Sequence, residues 1–383
     1  MRILHTSDWH LGRSFHREGL LRHQAAFVDH LLDVVDSERV DLVVVAGDVY
    51  DRALPPVEAV RLADDTFARL ASSRAQVVVT SGNHDSAQRL GFGSRLIDAS
   101  GVFIRTDASS SGVPVLLEDP HGPVAVYGLP YLDPETLREP WGLSHRSHQA
   151  ALGEAMSRVR DDLARRSNTR SVVLAHAFVA GGEASESERD ISVGGVSIVP
   201  TSLFDGIDYT ALGHLHGRHT LTDTIRYSGS PLAYSFSEAR HRKGSWLVEL
   251  ESAGLREVRF IDAPVPRALM SIRGCLDDLL TDPRHAEAER CWVQVTLTDA
   301  RRPRDAMERL RTRFPHCLVI TFEPEGVGQP TAATMRERLA GRSDTEILAT
   351  FFDDVRGSAP DPAEAALLAE ACDACRVAED VAS

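Results

Sequence analysis

The chain has 383 residues, 43% of them hydrophobic, and a formal net charge of −14 at pH 7. That length accommodates roughly two to three domains with a core, and that charge excludes a protein gripping nucleic acid through a general basic field. No stretch approaches a membrane span, and the opening MRILHTSDWH lacks the basic and apolar regions of a secretory leader, so a cytoplasmic protein is expected.

The first apolar run, Ile3-Leu4, leads to Asp8 and His10. A helix is predicted over Gln24 to Asp36, where Phe27, Val28, Leu31, Leu32 and Val35 recur at helical spacing. Leu42 to Ala46 follows, an unbroken run of strand length that Gly47 ends just before Asp48 and Asp51. A second helix is predicted from Pro56 to Leu70, and then Val77-Val78-Val79 leads to Gly82-Asn83-His84-Asp85. After a strand at Val124 to Tyr127 and a helix at Gln149 to Arg166, Val172-Val173-Leu174 reaches His176, and Ala211-Leu212 reaches Gly213-His214-Leu215-His216. Further strands are predicted at Trp246 to Leu250 and Val258 to Ile261. Between these, Ala180 to Val199 reads as a long Gly-, Ser- and Glu-rich loop.

Pro264-Val265-Pro266 breaks the pattern and is the best domain boundary. Beyond it, strands at Leu269 to Ile272, Val293 to Leu297 and Leu318 to Phe322 alternate with helices near Leu276 to Leu280 and over Ala306, Met307 and Leu310, which predicts a small α/β unit. Pro324 to Pro330 reads as a linker. Ser343 to Arg376 is predicted to be a helical hairpin, because Ser343 with Glu346 and Asp361 with Glu364 have capping-box spacing. Its apolar stripes are Ile347, Leu348, Phe351, Phe352 and Val355 in one helix and Leu367, Leu368, Ala371 and Cys375 in the other. Five cysteines, all in the last third, make no even disulfide framework and read as reduced thiols. Cys372 and Cys375 form a C-x-x-C without a second pair, which reads as two small apolar helix positions.

One apolar run ending in Gly-Asp is ordinary turn chemistry. Five runs that each end in cation-binding residues are not, and adjacent buried strands would bring all five tips to one edge, where open α/β sheets gather ligands. Asp8, His10, Asp48, Asn83, His176, His214 and His216 are therefore candidate ligands for two metals. Oxygen and imidazole without thiolate suit manganese, iron or zinc in a reactive site. Asp48 is assigned the bridge, with Asp8, His10 and His216 on one metal and Asn83, His176 and His214 on the other. Such a pair clamps a phosphoryl group for in-line displacement. His84 adjoins a ligand without being needed as one, so it is the candidate proton donor, and Asp51 is expected to accept its other ring proton and hold it cationic.

The ordered set D-x-H, G-D-x-x-D, G-N-H-D, a lone strand-end His and G-H-x-H resembles the calcineurin-like metallophosphoesterases. Asp8-Trp9-His10-Leu11-Gly12, Ser187-Glu188-Arg189-Asp190, Ala211 to His216 and Ser228-Gly229-Ser230-Pro231-Leu232 narrow the resemblance to the SbcD family of bacterial nuclease subunits. The resemblance implies an α/β fold of central sheets flanked by helices over 1–263, an α/β capping domain over 267–323, and a helical region over 331–377 that binds an SbcC-type ATPase. It implies a manganese-dependent 3′–5′ exonuclease on duplex DNA and an endonuclease on single strands and hairpins, acting in repair, recombination and replication as a homodimer within a heterotetramer. Archaeal and eukaryotic relatives carry a second histidine where this chain has Asp51, and Asp51-Arg52 also matches the G-D-x-x-D-R of protein serine/threonine phosphatases. A phosphomonoesterase or cyclic-nucleotide phosphodiesterase therefore stays open, as does a non-catalytic DNA-end scaffold; small-substrate and DNA hydrolysis assays separate them. Candidate DNA contacts are Arg13, Arg17, Arg22, Arg218 and Arg240 to Lys243, each of which also reads as solvated surface charge.

Overall fold

The computed structural model describes residues 1–189, 198–325, 341–356 and 358–382. Asp190 and the rest of 190–197 in the expected loop, residues 326–330 of the expected linker, residues 331–340 of the expected helical region and Gly357 of the expected turn lie outside the described residues. The chain divides into two compact units, Met1–Met270 and Ser271–Ser383.

The first unit is built on two six-stranded sheets. In one, the strands run in the order Gly254–Asp262, Gly244–Glu251, Arg2–Thr6, Leu42–Ala46, Gln76–Thr80, Val102–Arg105. The last four are parallel and the first two close the edge as an antiparallel hairpin. In the other the order is His219–Thr220, Ile225–Tyr227, Tyr209–Gly213, Arg170–His176, Gly122–Gly128, Val115–Asp119, parallel except at the two outer strands.

The strand period of two sorts each run into two cores. Leu42 and Val44 enter a cluster shared with Val124, Val126, Val172, Leu174, Tyr209 and Ala211 of the other sheet. Val43 and Val45 face the opposite way, onto Phe27, Leu31 and Val35 of the helix Leu21–Ser37 and Ala59, Ala63 and Leu70 of the helix Val57–Ala71. On the outer face of the second sheet, Tyr127, Val173 and Leu212 pack with Ala151, Leu152, Ala155 and Val159 of the helix His148–Leu163. Strands buried on both faces explain why the runs are continuous rather than alternating. The expected single edge is thus corrected: three tips belong to one sheet and two to the other, because the sheets stack face to face.

In the second unit the strands lie in the order Leu269–Gly274, Trp292–Leu297, Cys317–Phe322, with helices Leu276–Thr281 and Ala306–Arg313. The expected hairpin is present as helices Asp344–Arg356 and Pro362–Ala382. Both capping boxes form: Glu346 accepts from the Ser343 main-chain N–H at 2.7 Å, and Asp361 accepts from the N–H groups of Ala363 and Glu364 at 2.9 Å each. No helix among the described residues is long and apolar enough to cross a membrane.

Candidate metal centre

The parallel strands of both sheets end at one place. Gly213 carries no side chain because a Cβ there would fall on the Ala46 carbonyl oxygen, and Gly82 because one would strike the Asp48 carboxylate. These close approaches bring the tips within reach of one another. Four of the ligand-bearing residues, Asp8, His10, Asp48 and His214, have positive φ, a strained conformation that recurs at functional sites and costs about 1–3 kcal/mol each.

All seven candidate ligands converge, and the six charged or aromatic ones are buried. Ligand atoms of Asp8, His10 and His216 lie within 4.8 Å of one another, as do those of Asp8, Asp48 and His176. His10 Nε2 faces His216 Nε2 at 3.0 Å. Asp48 Oδ2 stands 3.6 Å from His10 Nε2 and 3.4 Å from His176 Nε2, between the two groups. Asn83 Oδ1 lies 2.9 Å from His176 Nε2 and 3.3 Å from His214 Nδ1. Asp48 Oδ2 thus lies between the residues assigned to the two ions. Its Oδ1 accepts from the His84 main-chain N–H at 2.9 Å.

The donor set fits cations. Two ring nitrogens, of His10 and His216, meet across 3.0 Å beside the Asp8 and Asp48 carboxylates, an arrangement that a shared cation satisfies. His176 donates from Nδ1 to the Ala46 carbonyl at 3.0 Å, which directs Nε2 to the centre. Burial raises Asp8 to about 6. Burial also lowers His214 to about 3, with the charge on His176 adding to the effect. Burial opposes a charge on His176, but the Asp48 carboxylate outweighs it and lifts the ring to about 9. A cation binding here therefore displaces that proton.

His84 is 9% exposed and its ring meets that of His10 edge-on at 4.7 Å. The expectation that the Asp51 carboxylate takes its ring proton is corrected: Nδ1 donates to the Asp51 main-chain carbonyl at 2.7 Å. The carboxylate turns instead to Arg13 at 3.4 Å and His10 Nδ1 at 3.7 Å. Burial above all pushes His84 below the ordinary histidine value, against the pull of the Asp48 carboxylate and the Asp51 carbonyl.

Arg13 is anchored, donating to the Ser187 carbonyl at 2.9 Å and lying 4.8 Å over the Tyr234 ring. With Ser14, Asp51, Arg52, His84 and Arg189 it lines an open cavity of about 420 Å³. Arg17 is exposed, away from these contacts, and Arg218 lies half-buried 4.5 Å over Phe260. Lys243 is corrected as a surface contact, being only 7% exposed.

Sequence reasoning missed three supports. Asp85 accepts from the N–H groups of Val49, Tyr50 and Gly82 at 3.1, 2.8 and 2.9 Å, clipping the second and third tips together. Gln24 donates to the His10 carbonyl at 2.7 Å and accepts from Gly12 N–H at 3.0 Å. Tyr234 donates to the Trp9 carbonyl at 2.6 Å. The Asp of G-N-H-D was visible as a motif member; nothing local marked the other two.

The family model for calcineurin-like phosphoesterase matches residues 1–218, more than half of the chain. The chain belongs to this family. Its tail carries a second match, over residues 265–356, to the SbcD C-terminal model described as the Type 5 capsule protein repressor C-terminal domain. Together the two matches support the SbcD type within the calcineurin-like phosphoesterases. Among solved structures, TT1561 of Thermus thermophilus is 11% identical with a TM-score of 0.40, covering 68% of this chain and 98% of that one. A dimetal phosphatase from Danio rerio is 15% identical with a TM-score of 0.42, covering 69% and 99%. GAP50, the anchor in the inner membrane complex of Plasmodium, is 14% identical with a TM-score of 0.43, covering 68% and 84%. As a calcineurin-like phosphoesterase with these Asp and His clusters, the chain has a centre that suits two metal ions and a metal-dependent hydrolase.

Proposed function

We propose that the chain is the nuclease subunit of an SbcCD-type complex, hydrolysing DNA phosphodiesters as a 3′–5′ exonuclease on duplex ends and an endonuclease on single strands and hairpins. The observation that carries this reading is the pairing of a complete two-metal ligand set with the SbcD-type C-terminal region on one chain. Asp8, His10, Asp48 and His216 would hold one ion and Asp48, Asn83, His176 and His214 the other, manganese by the resemblance. When bound, such a pair supplies Lewis acidity and an activated water at neutral pH.

The chain's own residues supply the rest. Arg13, Arg52 and Arg189 line the cavity that His84 faces and give a phosphodiester a local positive field in an otherwise acidic protein. A bound phosphate raises the proton affinity of His84, whose Nδ1 is already committed to the Asp51 carbonyl. Its Nε2 then carries the proton for the departing oxygen. Asp51 serves through its carbonyl in this step and through its carboxylate in fixing Arg13.

Residues 1–263 carry the chemistry, 267–323 form the capping domain, and 331–377 bind an SbcC-type ATPase on the nucleoid in the cytoplasm. The homodimer is supported by Leu54, Val57, Val60, Phe92 and Leu96, exposed apolar residues of neighbouring segments joined by the Arg89 bond to the Ala53 carbonyl. The deciding experiment compares p-nitrophenyl phosphate, bis-p-nitrophenyl phosphate and end-labelled duplex DNA in manganese, with and without the ATPase. Cleavage of DNA and the diester supports the nuclease; activity confined to the monoester contradicts it.

A further inference from the structure

Lys243 is the only lysine in a chain that otherwise uses arginine for its 42 basic residues. It is buried, and Nζ donates to the His216 carbonyl at 2.8 Å, to Ser230 Oγ at 2.9 Å and to the Glu238 carboxylate. A compact ammonium fits three converging oxygens, whereas a planar guanidinium fork does not. Glu238 is 1% exposed, so this is a buried ion pair, and a buried pair is costly unless its geometry is good.

The pair ends on a metal ligand. Glu238 Oε1 accepts from Ser187 Oγ at 2.5 Å, and Ser187 Oγ lies 2.5 Å from His216 Nδ1. With the hydroxyl proton given to the carboxylate, Ser187 accepts from Nδ1–H. That relay leaves Nε2 of His216 bare, and Nε2 is the atom facing His10. The main chain is gripped as well: His216 N–H donates to Glu188 Oε1 at 2.7 Å, and the other Glu188 oxygen accepts from Ser185 N–H at 2.8 Å and Ser185 Oγ at 2.6 Å. Ser187 and Glu188, two residues of the loop motif whose role the sequence left unassigned, thus brace His216.

We propose that the relay Lys243, Glu238, Ser187 positions His216 and so sets the cation affinity of the half-site formed by Asp8, His10 and His216. The other half-site is independent of it, because His176 is oriented by a main-chain carbonyl. The inference rests on the two-metal reading above. Removing a group that orients a ligand typically costs 10–100-fold in metal affinity.

Calorimetric titration of the metal-free full chain with Mn²⁺, paired with electron paramagnetic resonance, tests this. Wild type is expected to bind two ions and give the signal of a coupled pair. Lys243→Met should keep one tight site, weaken the other about 10–100-fold, and show the six-line signal of an isolated ion. Adding Glu238→Gln removes the unpaired charge while keeping an acceptor for Ser187, and should restore much of the lost affinity. Two sites of unchanged affinity in Lys243→Met, or equal weakening of both in a folded protein, overturn the proposal. If Lys243→Met fails to fold by circular dichroism, Ser187→Ala decides: it must weaken one site several-fold, and unchanged affinity overturns the relay. A wild-type chain that binds no Mn²⁺ contradicts the two-metal centre itself.

Discussion

At the strand tips polar groups are buried against one another: Asp8, His10, Asp48, His84, His176, His214 and His216 are all at most 9% exposed. In the C-terminal hairpin the balance reverses, with Phe351, Val355 and Leu367 exposed at 59, 70 and 66%. Buried polar groups need partners, and at the tips they crowd one another, with His10 Nε2 against His216 Nε2 and Asp48 Oδ2 beside His10 and His176. Exposed apolar residues also favour a partner, and these three remain exposed although Ile347, Leu348, Phe352 and Leu368 of the same stripes are half-buried. The first region has the donor chemistry of a cation site; the second has the amphipathic face proposed above to meet a partner.

The contrast breaks most severely at Asp48. Asp48→Ala should abolish the bridge and lower diester hydrolysis by about three or more orders of magnitude, given the several kcal/mol of charge stabilisation a catalytic metal supplies; metal content measured beside rate checks it. His84→Ala should keep both ions while turnover falls by about two to four orders of magnitude. Because His84 bonds the Asp51 carbonyl rather than its carboxylate, Asp51→Asn should fall much less than His84→Ala in the same assay. A loss equal to that of His84→Ala would restore the side-chain role.

Changes in the hairpin should leave the centre alone. Truncation after Gly341 should spare metal binding and basal cleavage yet abolish co-purification with the ATPase, whereas an intact complex would place the partner surface elsewhere. The smallest effect concerns pH. The hydrogen bonds from Arg356 and the Asp361 N–H pull Glu364 down to about 2. A depressed carboxyl stabilises above its ordinary value and loses that contribution as pH falls through the folded value. Amide protection over 343–375, corrected for the intrinsic exchange rate, should therefore fall as pH drops from about 4.5 to about 2, well below the value near 6 at which Asp8 takes up its proton.

Much of the centre was legible because each ligand lies within a few residues of an apolar run, so local sequence carries both strand and chemistry. The hairpin was legible from its capping boxes. What escaped was non-local. Val102–Arg105, Val115–Asp119 and Ile225–Tyr227 are short outer or near-edge strands without a strong apolar run. Nor does any run state which sheet it joins, so the division of tips between two sheets was hidden. Arg240 to Lys243 reads as a charged cluster, yet folding buries its last member beside Glu238. Asp51 acts on His84 through an atom every residue has, which no side-chain pattern reveals.

In the proposed centre the Asp48 carboxylate joins two cation sites at the strand tips. Titrating metal-free wild type and Asp48→Ala with Mn²⁺ tests it most directly. Two ions per wild-type chain and loss of the coupled pair in the variant are expected; two ions bound with wild-type affinity in Asp48→Ala would rule out the shared carboxylate.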